Sequence, residues 1–187
     1  MPLENMIWDR ISQDDKNAYA EAYRFLFNRF YNYGVRFTTD ELLIEDAIQE
    51  TLLLLWDKRG SLSEIKYPST YFYSVFRNNL INRLRLKKTE RFGEELEILD
   101  FSVEEFIFEK ETEILLKGKL KNAIEGLTSR QREAIYLRFY EGLSYEGVAS
   151  ILGISTKATY KIMARALSQL RDLIGILVLA FWYFLSK

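Results

Sequence analysis

The sequence predicts an all-α protein, two small helical domains joined by an acidic linker, and three observations carry that prediction. Gly and Pro are scarce among the 187 residues (9 and 2) while hydrophobic residues reach 48%, a composition for helices with real cores and few irregular connections. Apolar residues recur at spacings of three and four through most of the chain, the period of a helix that buries one side. Charge is partitioned: residues 1–87 carry twelve basic and twelve acidic side chains, 88–115 three and ten, and 116–187 eleven and five. The net charge of −1 therefore hides a basic C-terminal module behind an acidic middle, which suits one end that meets nucleic acid and a segment that must not. The boundaries read as a helical domain over 1–88, the linker over 89–115, a second helical domain over 116–172 and an apolar tail over 173–187.

The same composition excludes much chemistry. With no cysteine and no histidine, the chain has no thiol nucleophile, no Cys or His metal site, no histidine base and no disulfide framework. It has no Gly-rich phosphate loop and no strand-turn-helix cofactor fingerprint. No metal, no cofactor and no enzymatic activity are expected. The opening "MPLENMIWDR" lacks the charged start and apolar core of a signal peptide, so a cytoplasmic location is expected.

The elements follow in order. A short helix is predicted around residues 5–12. From Asn17 to Arg36 the residues Tyr19, Tyr23, Phe27 and Phe30 stand three and four apart, a stripe expected to be buried. Thr39 or Asp40 can cap the next helix, "DELLIEDAIQETLLLLWDKR", whose early Asp40 and Glu41 suit a helix N-terminus. After the loop "GSLSEIKYP", Ser69 is the expected cap of a third long helix, "STYFYSVFRNNLINRLRLKK". Residues 89–112 are acidic but keep Phe92, Leu96, Ile98, Leu99, Phe101, Phe106 and Ile107, so a connector that docks somewhere is expected. Helices resume at about Glu113, with a break near Leu127-Thr128 and turns near Gly142 and Gly153.

Between Leu143 and Leu170 the spacing is that of a helix-turn-helix. Ser144 caps a short helix, Ala149 is small where a second helix must cross, and Gly153 supplies the left-handed residue of a tight turn. Ile154 plugs the corner, and Ser155 or Thr156 caps the second helix. In that helix Thr159, Ile162, Met163, Ala166, Leu167 and Leu170 form the inward stripe. Thr156, Lys157, Tyr160, Lys161, Ala164 and Arg165 face outward, with Lys157, Lys161 and Arg165 in one row at four-residue spacing. Short polar and cationic groups thus occupy the turns where a recognition helix meets base edges and phosphates.

These residues carry a resemblance. "LTSRQREAIYLRFYEGLSYEGVASILGISTKATYKIMARALSQLR" resembles region 4 of the sigma-70 family of RNA polymerase sigma factors, with its "EGLSYE" turn, "LGIS" corner and closing "RAL..LR". Domains of the LuxR type share the first features, which leaves a regulator that binds DNA without docking on polymerase as the alternative. Gly147 stands where the family usually has Glu, and Thr159 where it usually has Val. In the first half, "EDAIQETLLLLWDKR" resembles the helix of sigma region 2 that grips the β′ clamp of the polymerase, with Asp46, Gln49 and Glu50 on one polar face and Ile48, Leu52, Leu55 and Trp56 inward. "YFYSVFRNNLINRLR" resembles the region 2 helix that binds the −10 promoter element, with Tyr71 where Trp is usual and Asn82 where Asp is usual.

The resemblance covers about residues 15–172, and the short linker is similar to that of the extracytoplasmic function (ECF) group. It implies core RNA polymerase (β′ clamp and β flap), promoter DNA and an anti-sigma factor as partners. It implies −10 contacts from Lys66, Tyr67, Ser69, Thr70, Arg77, Asn78 and Arg85, and −35 contacts from Ser155, Thr156, Lys157, Tyr160, Lys161 and Arg165. Tyr73, Arg83 and Lys87 offer similar groups beside the −10 set. Among the aromatics, Tyr67 is a better base platform than Phe72 or Phe76, which read as core. The linker's acidity fits a segment that the family threads through the polymerase, and equally a solvated tether. Leu173 to Leu185 is nearly uninterrupted apolar sequence, about 20 Å as a helix against a hydrocarbon core of about 30 Å. Three readings of it stand open: packing against the modules, docking on a membrane-bound partner or the bilayer face, or joining copies of the chain.

Overall fold

The computed structural model describes residues 2–92 and 123–185, with side chains over 6–87 and 123–171, and among these residues it contains helices and turns and no strand. Two compact units divide the chain between Leu99 and Asp100. The acidic connector and the helix start near Glu113 lie outside the described residues.

The N-terminal unit is built from helices α1 (Pro2–Ser12), α2 (Lys16–Gly34), α3 (Glu41–Asp57) and α4 (Pro68–Phe92), with a 3₁₀ segment, Arg59–Glu64, before α4. Each start has a chemical cause. Asp15 accepts the N–H groups of Asn17 and Ala18 at 2.8 and 3.1 Å, and its other carboxylate oxygen pairs with Arg10 at 2.8 Å. Of the two cap candidates for α3 the structure uses Asp40, whose Oδ1 accepts the Leu43 N–H at 3.3 Å. Helix α4 corrects the sequence expectation. Pro68, not Ser69, opens it, and the Tyr67 carbonyl accepts the first helical N–H, from Tyr71, at 3.0 Å. Proline has no N–H to leave unsatisfied and a φ already suited to the first turn, so it displaces the serine from the cap.

Helices α3 and α4 pack along each other, α2 packs on both, and α1 rests on α2 and on the 3₁₀ segment. The core is aromatic where α2 meets α4: Phe30 stacks on Phe76 at 4.8 Å and meets Tyr73 edge-on at 5.0 Å, with Tyr33 at 5.9 Å from Tyr73. Ile44, Ile48, Leu52 and Leu55 of α3 close the layer, all fully buried. Trp8 of α1 stacks on Phe72 at 6.0 Å. Helix α2 buries Ala18, Ala22, Leu26, Phe30 and Tyr33. The stripe expected inside is only partly so: Phe30 is buried, whereas Tyr19, Tyr23 and Phe27 lie half-exposed on the flank, Tyr19 edge-on to Tyr23, and Tyr23, Phe27 and Tyr31 stacked in sequence. Close helix approach favours the small Ala18 and Ala22 at the contact and moves the rings beside it.

Helix α2 comes close to its neighbours at Gly34. A Cβ there would stand 2.7 Å from Cγ2 of Ile44 and 3.3 Å from Cζ of Phe76, so the end of α2 touches both neighbours through bare backbone.

The C-terminal unit contains α5 (Ser129–Ile135), a π turn over Tyr136–Tyr140, α6 (Tyr145–Leu152) and α7 (Thr156–Leu185). Thr128 opens α5 with a capping box: its hydroxyl accepts the Gln131 N–H at 3.3 Å and the Gln131 side-chain oxygen accepts the Thr128 N–H at 2.8 Å. Ser144 caps α6 through the Gly147 N–H at 3.1 Å. Gly153 ends α6 at φ 63°, ψ 40°, and Ile154 N–H returns to the Ala149 carbonyl at 3.0 Å, which closes the tight corner. Arg130 donates to the Leu152 carbonyl at 2.6 Å, pinning α5 to that corner. Helix α7 is one element of 30 residues, so the backbone of the recognition helix and of the apolar tail is continuous; side chains beyond Arg171 lie outside the described ones. Among the described residues no helix is long and apolar enough to cross a membrane.

Two substitutions test this packing. Gly34→Ala will lower the stability of the N-terminal unit by about 1–3 kcal/mol through overpacking, and Phe76→Ala by about 3–5 kcal/mol through loss of the ring and the cavity it leaves. Denaturant unfolding reads both, and an unchanged midpoint for either would refute the corresponding contact.

Candidate functional site

Helix α3 presents Asp46, Gln49 and Glu50 outward, all exposed, on the side opposite Ile44, Ile48 and Leu52. The carboxylates are already engaged. Arg83 of α4 places Nη2 at 2.6 Å from Glu50 Oε2 and Nη1 at 3.6 Å from Asp46 Oδ2. Asn79 donates to the same Glu50 oxygen at 2.8 Å and accepts from Arg83 Nε at 2.9 Å. The Arg83 guanidinium first, and the Asn79 amide second, hold the Glu50 carboxyl below the usual glutamate range. Helices α3 and α4 also frame a groove of about 440 Å³ in which Leu53, Leu54 and Val75 meet Glu50 and Asn79. Leu42 and Leu53, 75% and 63% exposed, bracket the three polar residues along the helix. The sequence reading passed over these two leucines, although their helical register with Asp46 and Gln49 was there to be seen.

The residues grouped for the −10 element lie at the start of α4 and along its outer side. Lys66 sits 5.2 Å over the Tyr67 ring, and Tyr67 is 61% exposed, while Phe72 and Phe76 are fully buried. Ser69, Thr70 and Arg77 are half-exposed, Asn78 and Arg85 exposed. Helical phase sets Thr70, Arg77, Asn78 and Arg85 on one side, away from Asn79 and Arg83. Three residues of the broader set are corrected. Tyr73 is wholly buried, Arg83 serves the carboxylates of α3, and Lys87 pairs with Asp40. Those partners lie 33 and 47 positions away in sequence, beyond any local pattern.

In the C-terminal unit Ser155 takes the cap: its hydroxyl accepts the Ala158 N–H at 3.2 Å. Thr156 follows as the first residue of α7, half-exposed, with Lys157, Tyr160, Lys161, Ala164 and Arg165 exposed beyond it. Lys157, Lys161 and Arg165 pair with no carboxylate among the described residues, so the row presents its full charge to solvent. Thr159, Met163 and Ala166 are buried as expected, and the Thr159 hydroxyl is satisfied by the Ser155 carbonyl at 3.3 Å. Leu167 departs from the inward stripe at 40% exposure.

A helix-turn-helix whose cationic row has no carboxylate partner among the described residues is the arrangement of a DNA-binding protein, and the second unit sets Asp46, Gln49 and Glu50 outward on α3. Residues 19–90 match Sigma-70 region 2 and residues 117–170 match Sigma-70, region 4. The chain belongs to the sigma-70 family of RNA polymerase sigma factors, within its extracytoplasmic function group. It is 25% identical over 135 residues to the RNA polymerase sigma factor SigZ of Bacillus subtilis, covering 72% of this chain and 74% of that one. To the ECF sigma factor SigK of Mycobacterium sp. strain KMS it is 22% identical over 176 residues, 89% and 88% of the two chains. In fold it is similar to the sigma factor RpoE of Bartonella quintana, solved with the anti-sigma factor NepR, at TM-score 0.57 and 22% identity over 84% of this chain and 96% of that one. It is likewise similar to CnrH, solved with the cytosolic domain of CnrY, at TM-score 0.58 and 16% identity over 91% and 96%.

The depressed Glu50 value has a consequence for acid stability. The ion pair stabilises the fold at and above the ordinary glutamate range, and that contribution disappears as pH falls through the lowered value. Thermal melts between neutral pH and about pH 3 will show a shallower acid decline for Glu50→Gln than for the parent protein; coincident slopes would refute the pairing.

Proposed function

We propose that the two units divide promoter recognition between them and that α3 joins the protein to the polymerase. As a sigma factor the protein binds core RNA polymerase and promoter DNA and directs promoter-specific initiation. The observation that carries the finer reading is the contrast in charge use. In the N-terminal unit Arg10, Arg59, Arg83 and Lys87 pair with carboxylates of the same unit, whereas the row on α7 pairs with none among the described residues. An unpaired row beside a helix-turn-helix corner fits the −35 duplex, where Ser155, Thr156, Lys157, Tyr160, Lys161 and Arg165 would lie in and beside the major groove.

Asp46, Gln49 and Glu50 are the clamp contacts in this reading, with Leu42 and Leu53 as apolar flanks. Arg83 keeps the two carboxylates in a fixed spread that a basic partner surface can join. Lys66, Tyr67, Ser69, Thr70, Arg77, Asn78 and Arg85 take the −10 element: cations for the backbone, and a flat exposed ring for an unstacked base. The chemistry belongs to the polymerase, no cofactor takes part, and the protein works in the cytoplasm. The two structures similar in fold were solved with an anti-sigma factor and with a cytosolic partner domain, and this supports an inhibitory partner here, with the apolar tail as a further contact for it or for a membrane face.

Runoff transcription tests the assignment. Core polymerase supplied with this protein and a pool of genomic fragments will yield discrete transcripts, and Asp46→Ala or Gln49→Ala will abolish them. Tight, specific duplex binding with no transcripts would instead return the chain to the regulator reading. On a promoter so identified, Lys161→Ala will shallow the slope of log affinity against log salt by roughly 1, the value for one lost phosphate contact. An unchanged slope would remove Lys161 from the interface.

A further inference from the structure

Tyr160 is 52% exposed on the outward side of α7, yet its ring has a packing partner. It stacks on Tyr145, the first residue of α6, with centroids 4.3 Å apart and planes inclined by 14°. Tyr145 in turn lies 5.1 Å from the Arg138 guanidinium of the π turn, and Arg138 is itself held by a 2.8 Å hydrogen bond to the Leu143 carbonyl. Three consecutive elements thus converge on one ring of the recognition surface. Because Tyr145 covers one face of Tyr160, only the other face and the ring edge are available to a ligand. Ala164 stands one turn further on the same side, and it too is exposed. The ring and the methyl group are thus two apolar groups on a side that also carries the cations Lys157, Lys161 and Arg165.

A duplex offers one apolar group in its major groove, the 5-methyl of thymine, and small or aromatic side chains are its usual partners. We propose that Tyr145 is a specificity-positioning residue, which fixes Tyr160, one turn from Ala164, as a contact for a thymine methyl group in the upstream promoter element. The inference rests on the assignment of α7 to that element. Stacking matters because an exposed tyrosine held in advance loses little rotamer freedom when it binds. Sequence preference at that base pair therefore depends on a residue outside the recognition helix.

Deoxyuridine differs from thymidine by that methyl group alone. Full-length protein with core polymerase is titrated on promoter duplexes in which each thymine of the upstream element is replaced in turn by uracil. At one position the parent protein will bind the thymine duplex about fourfold more tightly, the value of one buried methyl group. Tyr160→Ala and Tyr145→Ala will each bring that ratio to about one, the double variant no further, and Tyr145→Phe will keep it. The ratio compares two DNAs with one protein, so a partly unfolded variant does not distort it; should Tyr145→Ala not fold, Tyr145→Leu carries the same test. A ratio that survives Tyr145→Ala or Tyr145→Leu, or that is lost in Tyr145→Phe, overturns the proposal, as does a ratio of one at every position in the parent. If the upstream element is needed and Lys161→Ala still shifts the salt slope, that failure is confined to the tyrosine pair. Indifference to the upstream element and to Lys161→Ala overturns both this inference and the placement of α7.

Discussion

The seating of helix α4 by four aromatic rings is the constraint on which the N-terminal unit depends. Phe30 and Tyr33 of α2 grip Tyr73 and Phe76, and the missing side chain at Gly34 lets α2 reach Ile44 and Phe76 together. Stacked and edge-on rings define rotation about a helix axis more sharply than aliphatic packing, because each pair has preferred angles as well as distances. Once that rotation is set, the remaining sides of α4 have no freedom. One carries Thr70, Arg77, Asn78 and Arg85 to solvent, and the other carries Asn79 and Arg83 to the carboxylates of α3. The exposed polar side of α3 and the outer side of α4 are thus oriented by a single packing decision.

The C-terminal unit reaches its geometry by different means. Its described helices before α7 are short, and their ends are fixed by side-chain and turn hydrogen bonds: the Thr128–Gln131 box, the Ser144 and Ser155 caps, the left-handed Gly153. Short helices have little stability of their own, so precise ends matter more here than bulk apolar area. Buried Tyr136 adds a hydrogen bond to the Glu141 carboxylate at 2.8 Å beneath the π turn. The arrangement leaves the outer side of α7 to polar chemistry, which is where its cations stand without internal partners among the described residues.

Most of this was legible in the sequence where the cause is local. Caps and the left-handed turn involve residues within five positions of one another, and Asp40, Ser144, Ser155 and Gly153 stand where such rules put them. The outward polar face of α3 and the buried side of α7 near Met163 were equally visible from period alone. The failures have a common origin. Periodicity shows that Tyr19, Tyr23 and Phe27 share a side, but not that the helix contact would choose Ala18 and Ala22 in their place. A serine beside a proline looks like a cap until the proline's own fitness for the first turn is counted. Arg83 resembled a DNA contact because its partners, Asp46 and Glu50, belong to another helix. The Tyr145–Tyr160 stack, across a turn, was invisible for the same reason.

Asp40 holds a position worth following further. Its N–H donates to the Thr38 hydroxyl, one carboxylate oxygen caps α3 and the other meets Lys87 on α4. Together with the Glu50–Arg83 pair, this gives the two packed helices a pair of struts at separate points along their length. Two struts prevent what one would allow, a roll of α4 against α3. In heredity this makes the pair a single character: a mutation that re-aims α4 also disturbs α3, so on the proposed division of roles promoter choice and polymerase attachment drift together, by compensated changes, and not one at a time.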